Sequence, residues 1–181
     1  MRLTDFTPGV TFSMFAPDAK RLAVGLLPTG GAIGTAPWPM TRASTTALHL
    51  DIAGGSMVPT FWSRDGRWLS GYVMSPGGEA KGFGLYEIAA DSARRLNDDS
   101  RGFDLTWLPG SRHVVYFTSR EDLVMQDVSS FARRKITGAL PYPPDLLWSL
   151  VAAPDGRTLY YGARHIEANI WLVKRSSPGT P

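Results

Sequence analysis

The sequence predicts an all-β protein, namely a β-propeller of about four blades that are each a four-stranded antiparallel meander. A short motif recurs four times at intervals of 45 to 47 residues, which is the repeat length of a propeller blade. The 19 glycines and 14 prolines are spread along the chain, as in proteins with many short turns. Short apolar segments of strand length follow each copy of the motif. We therefore expect a single β-propeller domain over residues 1–181, either as a whole ring or as a partial propeller.

The recurring motif is a predicted corner between the first two strands of each blade. A proline presets φ for the turn, an aspartate suits the next position, and a glycine then accepts a positive φ. Ala19 and Ser111 stand where that glycine is expected, and a positive φ at Ala19 would cost on the order of 1 kcal/mol. The equivalent positions, which lie 47, 45 and 45 residues apart, are Asp18, Asp65, Gly110 and Asp155.

The other strands of each blade are predicted from the segments that follow the corners. Third strands are expected at residues 48–52, 85–88, 123–126 and 170–173, which are short and apolar or alternating. Residues 93–96 and 132–136 are expected to form outermost strands, because exposed basic residues there discourage edge-to-edge pairing. Residues 28–40 are interpreted as an insertion in a first blade that lacks a clear fourth strand. The predicted blades are residues 1–55, 56–98, 99–138 and 139–176.

Such blades must stack, because a four-stranded meander cannot bury both of its faces alone. One position beside each corner is predicted to pack inward. It holds an aromatic residue in three copies, Phe15, Trp62 and Trp107, and Ala152 in the last copy.

With these residues the chain resembles the TolB-like, WD40-like family of propeller repeats. The family consensus runs Trp-Ser-Pro-Asp-Gly-Arg-x-Leu and then Ile-Trp-x-x-Asp, and residues 61–69, 153–159 and 170–173 match it best. The resemblance covers essentially the whole chain and implies the fold but no particular activity. Residues 167–172 are similar to the last blade of propellers that follow bacterial serine/threonine kinase domains or winged-helix regulator domains. Arg64 departs from the consensus, which has proline at that position.

The N-terminal segment raises the question of how the propeller closes. Residues 2–5 align with the outermost strand at residues 95–98. Either the segment pairs with the last blade and closes a ring of four blades, or it belongs to a blade that is encoded upstream. Most propellers of the family that the chain resembles are larger, which favours the second alternative and a chain that is the C-terminal part of a larger polypeptide.

Composition and charge restrict the classes of function. The net charge of +3 is small, so we expect no nucleic-acid partner. Binding of nucleic acid through the basic residues at 94–95 and 133–135 is the least favoured hypothesis, because edge protection already explains them. The chain has no cysteine, which excludes disulfides, thiolate metal sites and cysteine nucleophiles. No stretch approaches the roughly 18 apolar residues of a membrane span. Residues 1–5 lack the apolar core of a signal peptide, so a complete chain would be cytosolic, but the sequence alone does not identify the compartment.

No motif in the sequence indicates catalysis, a cofactor or a metal. The three histidines occupy different places in different repeats, and no Gly-x-Ser-x-Gly nucleophile elbow is present. Residues 29–34 are rich in glycine but lack the Lys-Ser/Thr of a phosphate-binding loop. The paired acids at 98–99 and 121–122 lack the spacing of a calcium loop. We therefore expect a protein that is not an enzyme and that has no cofactor.

The candidate binding residues are Trp38 and Met40, which lie among prolines at the end of the predicted insertion. Exposed aromatic residues are favoured at the centre of protein interfaces. The first functional hypothesis is a scaffold or sensor module that binds a protein partner, or a small ligand, through its loops. The alternative is an accessory or gating propeller of a larger enzyme, a peptidase or a serine/threonine kinase, whose catalytic domain lies outside this chain.

Overall fold

The chain forms antiparallel β-sheets that are joined by short turns. The computed structural model describes residues 3–6, 9–26, 30–118, 122–136 and 147–163. One short 3-10 helix lies at Arg42–Ser44, and no described helix is long and apolar enough to cross a membrane. The strands are β1 Val10–Phe15, β2 Arg21–Leu26, β3 Gly31–Thr35, β4 Thr45–Ala47, β5 Asp51–Ile52, β6 Gly55–Trp62, β7 Trp68–Met74, β8 Ala80–Glu87, β9 Ser92–Arg95, β10 Ser100–Trp107, β11 His113–Thr118, β12 Leu123–Asp127, β13 Arg133–Lys135, β14 Leu147–Ala152 and β15 Leu159–Ala163.

The strands are arranged as the blades of a partial β-propeller. Blade 1 is β1–β4, blade 2 is β6–β9 with β5 added beside β6, and blade 3 is β10–β13. Strands β14 and β15 form the described part of blade 4. Each blade is an antiparallel meander in chain order, so the predicted fold class is confirmed. The predicted third strand at residues 170–173 and the similarity at residues 167–172 lie outside the described residues.

The four corners have the predicted geometry. The strands on either side of each corner pair in the same register. In all four blades the last residue of the first strand faces the residue seven positions later. Ala19 and Ser111 both have φ of 55°, and the glycines that occupy the equivalent position, Gly66 and Gly156, have φ of 69° and 67°. The facing pairs are Phe15 with Leu22, Trp62 with Leu69, Trp107 with Val114 and Ala152 with Leu159.

The predicted outermost strands of blades 2 and 3 are confirmed, whereas the predicted third strand of blade 1 is not. Strands β9 and β13 lie where the basic segments were predicted to form blade edges. In blade 1, however, the third strand is β3, within the supposed insertion, and β4 is the fourth strand, so the prediction of a third strand at residues 48–52 is wrong. Strand β3 was not recognised because its side chains are small. The packing requires this, since a Cβ on Gly34 would lie 2.9 Å from Cγ2 of Thr45 and 3.0 Å from the sulfur of Met40. Such a glycine-rich strand has little of the apolar alternation by which strands are recognised.

Residues 48–52 instead join blade 1 to blade 2. Leu48 and Leu50 are buried in an apolar cluster with Met57, Leu69 and other residues of both blades. The backbone N–H of Met57 donates to the carbonyl of Leu50 at 2.8 Å, and β5 then pairs with β6. The boundary between the first two blades therefore lies near residue 50.

Apolar packing between blades forms the core of the molecule. The largest cluster lies between blades 2 and 3, where the rings of Phe83 and Tyr116 meet edge to face with centroids 5.6 Å apart. A further cluster lies between blades 3 and 4 and includes Phe117 and Leu150. Because apolar burial is the dominant favourable term in folding, each blade is stabilised mainly by its neighbours.

The aromatic position beside the corner packs against the preceding blade. Trp107 is 4% exposed, and its indole Nε1 donates to Oγ of Ser70 in blade 2 at 2.9 Å. Trp62 is half-buried, and its Nε1 donates to the carbonyl of Met14 in blade 1 at 3.2 Å. Phe15 is 47% exposed, so the prediction that it packs inward is wrong. The described residues contain no earlier blade for its ring to pack against.

The N-terminal segment covers one face of blade 1. The backbone N–H of Asp5 donates to the carbonyl of Met40, and that of Met40 donates to the carbonyl of Leu3, both at 2.8 Å. This parallel pairing brings Phe6 into the apolar cluster of β2. The described residues of this segment, 3–6, therefore lie on blade 1. Its pairing with the last blade and a blade encoded upstream both stay predictions.

Truncation of the buried tryptophan should cost far more stability than truncation of its exposed counterpart. Trp107→Ala should lower the free energy of unfolding by about 3–5 kcal/mol, because it leaves a cavity between two blades and removes the indole N–H that Ser70 accepts. Phe15→Ala should lower it by about 1 kcal/mol or less, because its ring is half exposed. Denaturant unfolding of both variants measures the difference, and equal losses would contradict the described blade packing.

The two non-glycine corners should respond differently to glycine, although their φ angles are the same. Ala19→Gly should raise the free energy of unfolding by about 1 kcal/mol, because it relieves a Cβ in the left-handed region. Ser111→Gly should give no gain, because it also removes a hydroxyl that accepts the backbone N–H of Asp65 at 3.0 Å. Thermal unfolding of the two variants makes the comparison, and an equal gain in both would show that this hydrogen bond contributes nothing.

Candidate functional site

The corners of all four blades lie at one end of the propeller, which we call the corner face. In a meander, the turns between strands one and two and those between strands three and four lie at the same end. The corner face therefore consists of the corners at residues 16–20, 63–67, 108–112 and 153–158 and the turns at residues 36–44, 88–91 and 128–132.

The aspartates of the corners fix their own turns. Asp18 accepts the backbone N–H of Lys20 at 2.9 Å, and Asp155 accepts that of Arg157 at 2.9 Å. The backbone N–H of Lys20 holds the pKa of Asp18 below its ordinary value, and the N–H groups of Arg157 and Thr158 do the same for Asp155. In these two corners the basic residue after the turn thus contributes through its backbone, and its side chain is left on the surface.

The side chain of Arg64 forms a hydrogen bond between two blades on the corner face. It stands at the position that is proline in the other three corners, and its Nη2 donates to the carbonyl of Ala152 at 2.8 Å. This hydrogen bond joins blade 2 to blade 4. A side chain that departs from the repeat consensus therefore links the corner of blade 2 to the end of the first strand of blade 4.

A mostly apolar cleft opens on the corner face between blades 1 and 2. It lies where β1 packs beside β6 and has a volume of about 440 Å³. The lining residues come from the ends of these two strands and from the corners that follow them. They are Met14, Phe15, Pro17, Thr60, Phe61, Trp62 and Arg64.

The aromatic walls of the cleft are held in place by their neighbours. The ring of Phe15 meets that of Trp38 edge to face, with centroids 5.9 Å apart. The guanidinium of Arg21 lies 5.0 Å from the ring centre of Trp62, and Arg21 is itself paired with Asp18 at 3.0 Å. These contacts fix the side chains before any ligand binds, which lowers the entropic cost of binding.

The polar side chains of the cleft are Thr60 and Arg64. Oγ1 of Thr60 is buried, and no described residue forms a hydrogen bond with it. Buried polar atoms without a partner are rare in native proteins. Of these two side chains, Arg64 is the exposed one, and the hydroxyl of Thr60 lies beneath the surface of the cleft.

The two residues predicted to bind a partner have different positions. Trp38 is half-buried and lies beside the cleft through its contact with Phe15. Met40 is completely buried in the cluster of Leu22 and Val24, so the prediction that it belongs to a binding surface is corrected. The hydrogen bonds of Met40 with the N-terminal segment turn its side chain into blade 1, which the sequence pattern does not reveal.

The basic segments of the blade edges are engaged within the chain. Arg94 lies between the rings of Trp68 and Phe131, 5.0 Å from each ring centre, and its Nη2 donates to the carbonyl of Val128 at 2.8 Å. Arg133 is paired with an aspartate, Asp99, at 2.9 Å, and Lys135 with Asp122 at 2.5 Å. Arg94 was predicted only to protect the edge of its blade, and it also joins blade 2 to blade 3. The absence of a nucleic-acid partner stays a prediction.

The described histidines form isolated contacts. Nδ1 of His49 lies 2.6 Å from a carboxylate oxygen of Asp91, and Nε2 of His113 lies 3.5 Å from one of Asp127. His165 lies outside the described residues. No group of three histidine or acidic side chains that could hold a metal ion occurs in the described part of the chain.

Comparisons with known proteins support the fold. No protein-family model matches the sequence, and no curated protein is significantly similar to it. Among solved structures, one match is TolB from Acinetobacter baumannii, with a TM-score of 0.61 at 14% sequence identity. The alignment covers 89% of this chain but 39% of the TolB chain, so this chain spans less than half of that structure. At this identity the similarity shows a TolB-like β-propeller fold alone, because one fold supports many functions.

Proposed function

We propose that the chain is a non-enzymatic binding module that holds an extended segment of a protein partner on its corner face. In this proposal the cleft between blades 1 and 2 receives a bulky apolar side chain of that segment. The observation that carries the proposal is the exposure of Phe15, 47% of whose surface is accessible, at the rim of a cleft with further aromatic walls. An exposed aromatic residue in a concave site favours binding over a purely structural role.

The composition of the cleft favours a protein partner over a polar metabolite. Phe15, Phe61 and Trp62 supply large and fixed apolar surfaces, and such residues dominate the binding energy of protein interfaces. The volume of about 440 Å³ lies within the range of small-molecule sites, about 300–1,000 Å³, so a small apolar ligand would use the same walls. Trp38 extends the aromatic surface beside the cleft.

An accessory or gating role in a larger enzyme is the second hypothesis. It rests on the resemblance of the repeats to propellers that accompany catalytic domains. A catalytic domain encoded in phase with this chain would favour it, and the cleft would then contact that domain or its substrate.

Peptide selection tests the proposed binding site. A phage-displayed library of random peptides, selected on the full chain, should yield peptides that share an aromatic or large aliphatic residue. Phe15→Ala should weaken their binding at least about tenfold, because it removes one wall of the cleft, and fluorescence polarisation measures the affinities.

Phe12→Ala is the matched control for this experiment. Phe12 lies on the same strand, is 36% exposed and packs against Tyr72, outside the lining of the cleft. Its truncation should leave the affinities within about twofold of wild type. No enrichment of peptides, or an equal loss in both variants, would contradict the proposed site.

A further inference from the structure

We propose that the cleft selects a partner segment in which an acidic residue lies beside the bulky apolar side chain, and that Arg64 binds its carboxylate. This inference rests on the proposed function of the cleft as a binding site. It identifies Arg64 as the residue that determines specificity, and it gives the partner segment a defined chemistry.

The position of Arg64 is unusual within the repeat. The equivalent positions of the other corners hold proline, at Pro17, Pro109 and Pro154. The turn therefore does not require an arginine here, and proline would suit its geometry. Arg64 is nonetheless exposed, and it is the one charged side chain among the described residues that line the cleft.

The charge of Arg64 has no acidic partner among the described residues. Other arginines of the corner face are paired with carboxylates: Arg21 with Asp18 at 3.0 Å and Arg112 with Asp127 at 2.6 Å. The described partner of Arg64 is the neutral carbonyl of Ala152. A guanidinium carries five N–H donors and is always charged, so most of its binding capacity is left for a ligand.

The contact with Ala152 also fixes the guanidinium. Because its Nη2 donates to this carbonyl at 2.8 Å, the long side chain is held in one direction before a ligand arrives. A planar guanidinium that is fixed in this way matches the two oxygens of a carboxylate.

The cleft therefore combines apolar walls with one fixed cation. Together these features fit an apolar side chain with a carboxylate next to it.

Two fluorescent probes that differ in one group test this proposal on the full chain. They are the dipeptide amides dansyl-Phe-Glu-amide and dansyl-Phe-Gln-amide, which are titrated while the dansyl emission is recorded. The acidic probe should bind wild type about tenfold more tightly than the neutral probe. Arg64→Gln and Arg64→Pro should abolish that difference by weakening the acidic probe alone.

The control variants separate this inference from the proposed function. Arg67→Gln removes a charge from the same corner outside the cleft lining, and it should leave both affinities unchanged. Phe15→Ala should weaken both probes. If both probes depend on Phe15 but neither depends on Arg64, the cleft is a binding site and the proposed carboxylate recognition is wrong. If neither probe depends on Phe15, the binding site itself is wrong, and this inference is overturned with it.

A third probe identifies the source of the carboxylate. Dansyl-Phe with a free terminal carboxylate places the charge on the apolar residue itself. We expect it to bind more weakly than the acidic dipeptide amide. Tighter binding of this probe would overturn the assignment to an acidic side chain in favour of a chain terminus.

Discussion

Packing between neighbouring blades is the interaction on which the rest of the structure depends. A blade of four strands has two broad faces that it cannot bury alone. The edge-to-face pair of Phe83 and Tyr116 and the indole hydrogen bond of Trp107 to Ser70 both cross from one blade to the next. Arg94 does the same between two aromatic rings. Each blade thus completes the core of its neighbour.

The candidate site follows from the same constraint. The aromatic position beside each corner is buried when an earlier blade covers it, as at Trp107, and is open in blade 1, where Phe15 is exposed. Blade 1 covers its other face with the N-terminal segment and Met40. The exposed ring therefore remains at the rim of a cleft whose second wall is Trp62. Among the described residues, the position that is buried at Trp107 of blade 3 is thus exposed at Phe15 of blade 1.

The sequence predicts the features that recur and misses those that occur once. The corners, the positive φ of Ala19 and the basic outermost strands follow from repetition and turn chemistry, and they were predicted correctly. Strand β3 was missed, because its glycines carry no apolar pattern. The burial of Met40 and the reach of Arg64 to Ala152 depend on contacts between distant segments, which no local pattern contains. The departure of Arg64 from the consensus was visible in the sequence, but its partner was not.

The central claim is that the blades stabilise one another, and calorimetry of the full chain tests it most directly. If packing between blades dominates, the chain should unfold in one cooperative transition, with a calorimetric enthalpy equal to the van't Hoff enthalpy. Separate transitions, or a calorimetric enthalpy well above the van't Hoff value, would mean that the blades unfold independently. That result would contradict the claim that each blade depends on its neighbours.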